Sequence, residues 1–230
     1  MKSFTSIAYK TLTVLMVVML ALTLVTPAYA DTSGPRDATA GVNVNGPGTI
    51  NWTNPGNVVS NNNSYATVAV NGTTSEYLQA TGYGFTIPAS ATINGISVTI
   101  GRFGTTGFGS DVRDSVVSLV KGGVITGSNL GATGTDWPGA EATANYGGVA
   151  NLWGTTWTPA EVNAANFGVV LSVTSTNNRT ASVDYVQVTV TYTLPATTTT
   201  VTSSLNPSNS GDSVTFTATV TSGTPGTITG

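Results

Sequence analysis

The chain has 230 residues, with 7 Lys+Arg against 10 Asp+Glu and neither histidine nor cysteine. That composition excludes a disulfide framework, thiolate or imidazole metal ligands, a cysteine nucleophile and a Ser-His-Asp triad. A formal net charge of −3 gives no electrostatic reason to expect nucleic acid as a partner.

Lys2 and Lys10 precede the apolar run from Thr11 to Val25, and Ala28-Tyr29-Ala30 is a small-x-small cleavage pattern before Asp31. The run is shorter than the roughly 20 residues a comfortable membrane span needs, so residues 1–30 read as a secretory signal peptide. The mature chain is then secreted or extracellular, with no membrane insertion after cleavage. Residues 31–46 carry no strong pattern and read as an N-terminal extension. Tyr65 to Val70 and Gly82 to Ile87 are candidate strands. In Ile96 to Ile100 and again in Asp184 to Tyr192 the apolar residues fall on even positions, giving strands with one buried face. Asp114 to Val120, Gly122-Gly123 and Val124-Ile125 form a strand, a turn and a returning strand. Phe167 to Val173 is a continuous apolar run suited to a central strand. Thr158-Pro159-Ala160-Glu161 has the hydroxyl cap, first-turn proline and glutamate of a helix start, with the helix ending near Ala164 to Asn166. Short strands between Asn/Gly/Ser/Thr-rich turns predict an all-β fold, an antiparallel jelly-roll-like β-sandwich over residues 47–194.

At Leu194-Pro195 the composition changes, and a Pro/Thr-rich linker with a first strand occupies residues 195–202. Ser213 to Val220 is an alternating strand, and residues 203–230 read as the opening of a second, incomplete β-sandwich. The segment TTTTVTSSLNPSNSGDSVTFTATVTSGTPGTITG resembles the first strands of bacterial Ig-like repeats, which occur in tandem in surface and adhesin-type proteins. Residues 47–193 resemble a β-sandwich module of large secreted bacterial proteins. The segments that carry this likeness include Asn51-Trp52-Thr53-Asn54-Pro55, Tyr77 to Pro88, Leu152-Trp153-Gly154 and Val183 to Val186. Together the resemblances imply a secreted, multi-domain, cell-surface-associated protein whose parent chain holds neighbouring Ig-like repeats.

Four tryptophans are the first candidates for contact with a ligand, because an aromatic face packs on the apolar face of a sugar ring. Trp137 and Trp157 sit in turn-rich segments and form the expected exposed pair, with Trp153 and Tyr146 beside them; the other reading buries these rings in the core or in loops. Among the acids, Asp111, Asp114 and Asp184 are candidate calcium ligands, since that ion takes six to eight oxygens. Otherwise Asp114 or Asp184 pairs with Arg102 or Arg113. No cofactor is implied beyond such a calcium. Glycoside hydrolysis needs two converging carboxylates, for which Asp136 with Glu141, or Asp184 with Asp111, are the pairs available. No acid lies in a recognisable catalytic signature, and the chain reads as a non-enzyme. Lys121, beside a Gly-Gly turn, reads as a solvated turn lysine. The expected function is adhesion or display at an extracellular glycan or surface polymer, through loop aromatics. The alternative is a structural module of a surface layer, sheath or fibre that binds no small molecule, and ring exposure separates the two.

Overall fold

The computed structural model describes residues 24–26, 28–105 and 112–222. Asp111 and most of the expected signal peptide lie outside the described residues. The chain divides into two compact units, Ala30–Thr193 and a second formed by Met1–Tyr29 with Leu194–Gly230.

The larger unit is a sandwich of two antiparallel sheets. In one, β10 (Ala142–Gly147), β7 (Thr92–Gly104), β12 (Arg179–Leu194) and β2 (Tyr29–Asp37) lie side by side, and β4 (Ala66–Val70) pairs with the start of β12. In the other the order is β3 (Ala40–Val44), β6 (Tyr77–Thr81), β11 (Gly168–Ser175), β8 (Arg113–Lys121) and β9 (Val124–Thr126), with the short β5 (Thr73–Thr74) on β11. Period-two patterning aims Ile96, Val98 and Ile100 of β7 and Val186, Val188 and Val190 of β12 inward. They meet Val117 and Leu119 of β8 and Val169, Leu171 and Val173 of β11, all at most 2% exposed. As its unbroken apolar sequence predicts, β11 is the middle strand of its sheet.

Three elements depart from the expectations. Residues 31–46 are not an extension, because β2 and β3 add an edge strand to each sheet. Edge strands bury little, and Gly34 and Pro35 interrupt β2, so neither leaves an apolar signature. Gly82 to Ile87 is not a strand: Gly82 and Gly84 take positive φ (81° and 61°), which breaks any ladder. Tyr83, Phe85 and Ile87 are still buried, and the rings of Tyr83 and Phe85 join Phe167 and Trp157 in a cluster of edge-on and stacked rings. Lys121 is not a solvated turn lysine, since its ammonium donates to the Thr156 carbonyl at 2.5 Å, pairs with Glu161 at 3.3 Å and lies over the Trp157 ring.

The smaller unit contains β1 (Leu24–Thr26), β13 (Thr197–Ser203) and β14 (Phe216–Ser222), in the order β1-β13-β14.

The short helix α1 (Pro159–Asn163) forms for the reason its sequence suggests. The Thr158 hydroxyl accepts from the Glu161 N–H, and the Glu161 carboxylate accepts from the Thr158 N–H at 2.8 Å. That backbone bond holds the Glu161 pKa below its ordinary value. A depressed carboxylate stabilises the fold above its unfolded pKa and loses that contribution as pH falls through the folded value. Thr158→Ala should therefore cost about 1 kcal/mol at neutral pH. In urea titrations the stability gap between the parent and Glu161→Gln should shrink as pH drops below about 4.

Candidate functional site

The aromatic residues expected to face solvent are inside the fold. Trp137 is 2% exposed, Trp157 6%, Trp153 0% and Tyr146 7%, so none offers a ring face to a ligand. Each also has its polar atom committed. The Trp153 indole donates to the Ile96 carbonyl at 2.9 Å and that of Trp157 to Leu152 at 3.1 Å. Trp137 and Tyr146 both serve Asp114.

Asp114 stands where the register of β8 against β11 shifts. Ser172 opposes Val116, but Val173 opposes Asp114, so Ser115 is the extra residue of a bulge. The bulge turns the acid onto the inner face of its sheet. There the carboxylate, with no exposure, accepts from the Arg102 guanidinium of β7 and from the Trp137 indole at 2.9 Å. It also accepts from the Tyr146 hydroxyl of β10 at 2.9 Å and the Ala132 N–H at 2.7 Å. The guanidinium in turn lies over the Trp137 ring, 4.5 Å from its centroid, and 5.5 Å from that of Tyr146. Burial, and then the Asp114 charge, push the Tyr146 phenol far above its ordinary pKa and keep it a donor.

Among the described residues Asp184 is the other fully buried acid, and it too sits at a bulge. Val183 opposes Arg102 and Tyr185 opposes Gly101, leaving Asp184 as the extra residue. Its oxygens accept from the N–H groups of Asn62 and Asn63 at 3.3 and 3.2 Å. Asp114 is met by N–H and O–H donors and Asp184 by two backbone N–H groups, the two acids share no partner, and among the described residues no third acid joins them, so the structure does not bring Asp114 and Asp184 together as the expected calcium site. The ion-pair alternative, Asp114 with Arg102, is the one the structure selects. The acids of the hydrolase pair have separate partners, Asp136 with Arg113 at 2.6 Å and Glu141 with the Tyr65 hydroxyl at 2.9 Å.

The surface best equipped to meet another molecule is the outer face of the β10-β7-β12-β2 sheet. Register places Gln187, Thr99 and Asn145 in one row across three strands. Thr99 bonds to Asn145 at 3.0 Å, and Gln187 donates to Asp37 of β2 at 2.9 Å, so the row continues across four strands. In the neighbouring row Tyr185 lies over Gly101, where any Cβ would collide with its ring, and its hydroxyl is 3.1 Å from that of Thr143. Beyond it stands the half-buried pair Tyr65 and Phe103, edge to face at 5.1 Å, with Glu141 on the Tyr65 hydroxyl. That hydrogen bond raises the Tyr65 pKa and keeps the phenol protonated. Sequence reasoning passed over this face because its members are scattered outward residues of β2, β7, β10 and β12 and of the segments that lead into β4 and β10. Only the alternation within β7 and β12 hinted at it.

No protein-family model and no curated protein matches the sequence. A solved structure titled "CBM4 structure and function" is similar at 11% identity and a TM-score of 0.37, over 65% of this chain and 92% of the other. Likeness at that level identifies neither a family nor a ligand.

Two outcomes follow from the Asp114 cluster. Asp114→Asn leaves the Arg102 charge sealed in without a counter-ion and should cost about 3–5 kcal/mol by denaturant titration. Because the Tyr146 phenol is held protonated in the fold, its contribution is complete below its unfolded pKa and is lost as pH rises past about 10. Tyr146→Phe should flatten that alkaline decline in thermal melts.

Proposed function

We propose that this chain is a non-catalytic, exported binding module whose ligand surface is the outer face of the β10-β7-β12-β2 sheet, and that its ligand is an extended, uncharged glycan. The observation that carries this reading is the row Asp37, Gln187, Thr99, Asn145. It is a strip of amides, a hydroxyl and a carboxylate across four strands. At the spacing of neighbouring strands such a strip is about 14 Å long, the dimension of an oligosaccharide lying across the sheet. Amide and carboxylate groups pair with the donor and acceptor faces of sugar hydroxyls. Phe103 and Tyr65 supply the apolar contact at one end. The two charges on this face, Asp37 and Glu141, are both negative and oppose a uronate or sulfated chain.

Export rests on the N-terminal pattern of residues 1–30, and display on the Ig-like character of residues 203–230, which would space the sandwich away from a cell surface. A structural role in a surface layer or sheath is the second reading. It is favoured by the burial of Trp52, Trp137, Trp153 and Trp157, which leaves hydroxyl-rich strand faces outside.

Affinity electrophoresis of the exported protein through neutral and acidic polysaccharides separates the two. The expected result is retardation by a neutral polymer only. Gln187→Ala, Asn145→Ala or Phe103→Ala should each weaken it about tenfold, the worth of a lost contact of roughly 1.4 kcal/mol. Melting temperatures should hardly move for Gln187→Ala and Asn145→Ala, since surface changes cost within about 0.5 kcal/mol, whereas Phe103→Ala also removes the half-buried edge-to-face partner of Tyr65 and should cost about 1 kcal/mol of stability. Retardation by no polymer would leave the structural role standing.

A further inference from the structure

We infer that Asn71 is a modification site: its side-chain amide is converted spontaneously to a mixture of aspartate and isoaspartate, while the chemically equivalent pairs Asn45-Gly46 and Asn94-Gly95 are held intact by the fold. The inference goes beyond the glycan reading and does not depend on it.

The sequence holds three Asn-Gly pairs, at Asn45, Asn71 and Asn94. Glycine after asparagine leaves no side chain in the path between the asparagine Cγ and the next backbone nitrogen. In the reaction the Gly72 nitrogen forms a bond to Asn71 Cγ and gives its proton to solvent, while Nδ2 takes up a proton and leaves as ammonia. Water then opens the cyclic imide at either carbonyl. One product is aspartate; the other is isoaspartate, in which the chain runs through the former side chain and gains a backbone carbon. No oxidant or cofactor enters the balance.

The three pairs differ in how each is held. Gly46 donates its N–H to the Glu76 carboxylate, and a charge-assisted bond that must break before the nitrogen can attack slows the step about tenfold or more. The Asn94 amide donates to the Thr193 hydroxyl, and the buried Gly95 lies opposite Thr191 in the ladder between β7 and β12. Asn71 and Gly72 instead form the connection by which the chain leaves β4 in one sheet for β5 in the other, and both are exposed. Gly72 takes a φ of 60°, and even an added Cβ there would come no nearer than 3.9 Å to any atom beyond its chain neighbours. Among the described residues no hydrogen bond holds the Asn71 amide or the Gly72 N–H. Solvent and base therefore reach the pair, and no ladder bond has to open before the side chain turns onto the backbone.

Peptide mapping after storage tests the assignment. The purified protein is incubated in mildly alkaline buffer, folded and, in parallel, in guanidinium. Digestion after aromatic residues separates the three sites, because Trp52, Tyr65, Tyr77 and Phe85 stand between them. Electron-transfer fragmentation then distinguishes isoaspartate from aspartate. In guanidinium the three pairs should convert at similar rates. In the folded protein Asn71 should convert about tenfold faster or more than Asn45 or Asn94. An acidic species on ion exchange should grow in step with that conversion and be missing from Asn71→Gln, whose longer side chain cannot close the same ring. Glu76→Gln, which leaves Gly46 an uncharged acceptor, should speed conversion at Asn45 and leave Asn71 unchanged. An Asn71 that stays intact in the folded protein overturns the site, and equal rates at the three pairs in the folded protein overturn the protection of the other two. Neither outcome bears on glycan retardation, since Asn71 lies outside the row Asp37, Gln187, Thr99, Asn145.

Discussion

A carboxylate with no access to water must be met by donors on every side, and Asp114, on β8 of one sheet, is met by groups from β7 and β10 of the facing sheet and from the loop between β9 and β10. The desolvation cost of an ion pair such as Arg102–Asp114 is balanced only where geometry is good and the remaining lone pairs are filled. Trp137, Tyr146 and the Ala132 amide fill them. The consequence reaches beyond local stability. To serve Asp114, the loop carrying Ala132 and Trp137 must fold back across the end of the sandwich, and Tyr146 must turn inward from β10. An ion pair with this many dependents fixes the separation and register of the two sheets at that end, which hydrophobic contacts alone specify less sharply.

The fold was legible wherever burial on one face writes a period of two. The alternation of β7 and β12, the continuous run of β11, the Gly122-Gly123 turn and the Thr158–Glu161 cap all correspond to elements at or near the expected positions. Legibility failed where a strand buries little, as in β2 and β3. It failed again where buried residues alternate without a ladder, as in Tyr83, Phe85 and Ile87. The aromatics misled for a different reason. Turn-rich sequence around Trp137 and Trp157 describes the backbone correctly, but a loop folded onto the end of a sandwich buries its rings as fully as a strand does. Linear sequence does not say which way such a loop turns. The partner that decides it for Trp137 is Asp114, 23 residues away.

With the indoles committed to the interior, the groups left for contact with another molecule are those on the outer faces. On the β10-β7-β12-β2 sheet these are amides, hydroxyls, two carboxylates and the Tyr65–Phe103 pair. A flat array of this kind suits a polymer that offers many weak, repeated hydroxyl contacts better than a compact ligand needing a deep enclosure. It also explains why no single residue announced the surface: its chemistry lies in the row, and the row exists only once four strands are in register.

Both fully buried acids occupy bulges, and the coincidence has a mechanical meaning. A regular ladder alternates inner and outer residues strictly, so an acid that must reach donors off the ladder needs one extra residue to turn it. At Asp114 the turn brings a carboxylate into the space between the sheets. At Asp184 it holds the Asn62 and Asn63 amides against β12, just ahead of Tyr65. That anchor sets where the chain enters β4 and so where the Tyr65 ring meets Phe103. The interior acid of one strand thereby positions the half-exposed aromatic of another. The composition of the outer face is thus tied to the interior: the bulge that departs from the β12 pattern places the one apolar feature on an otherwise polar strip.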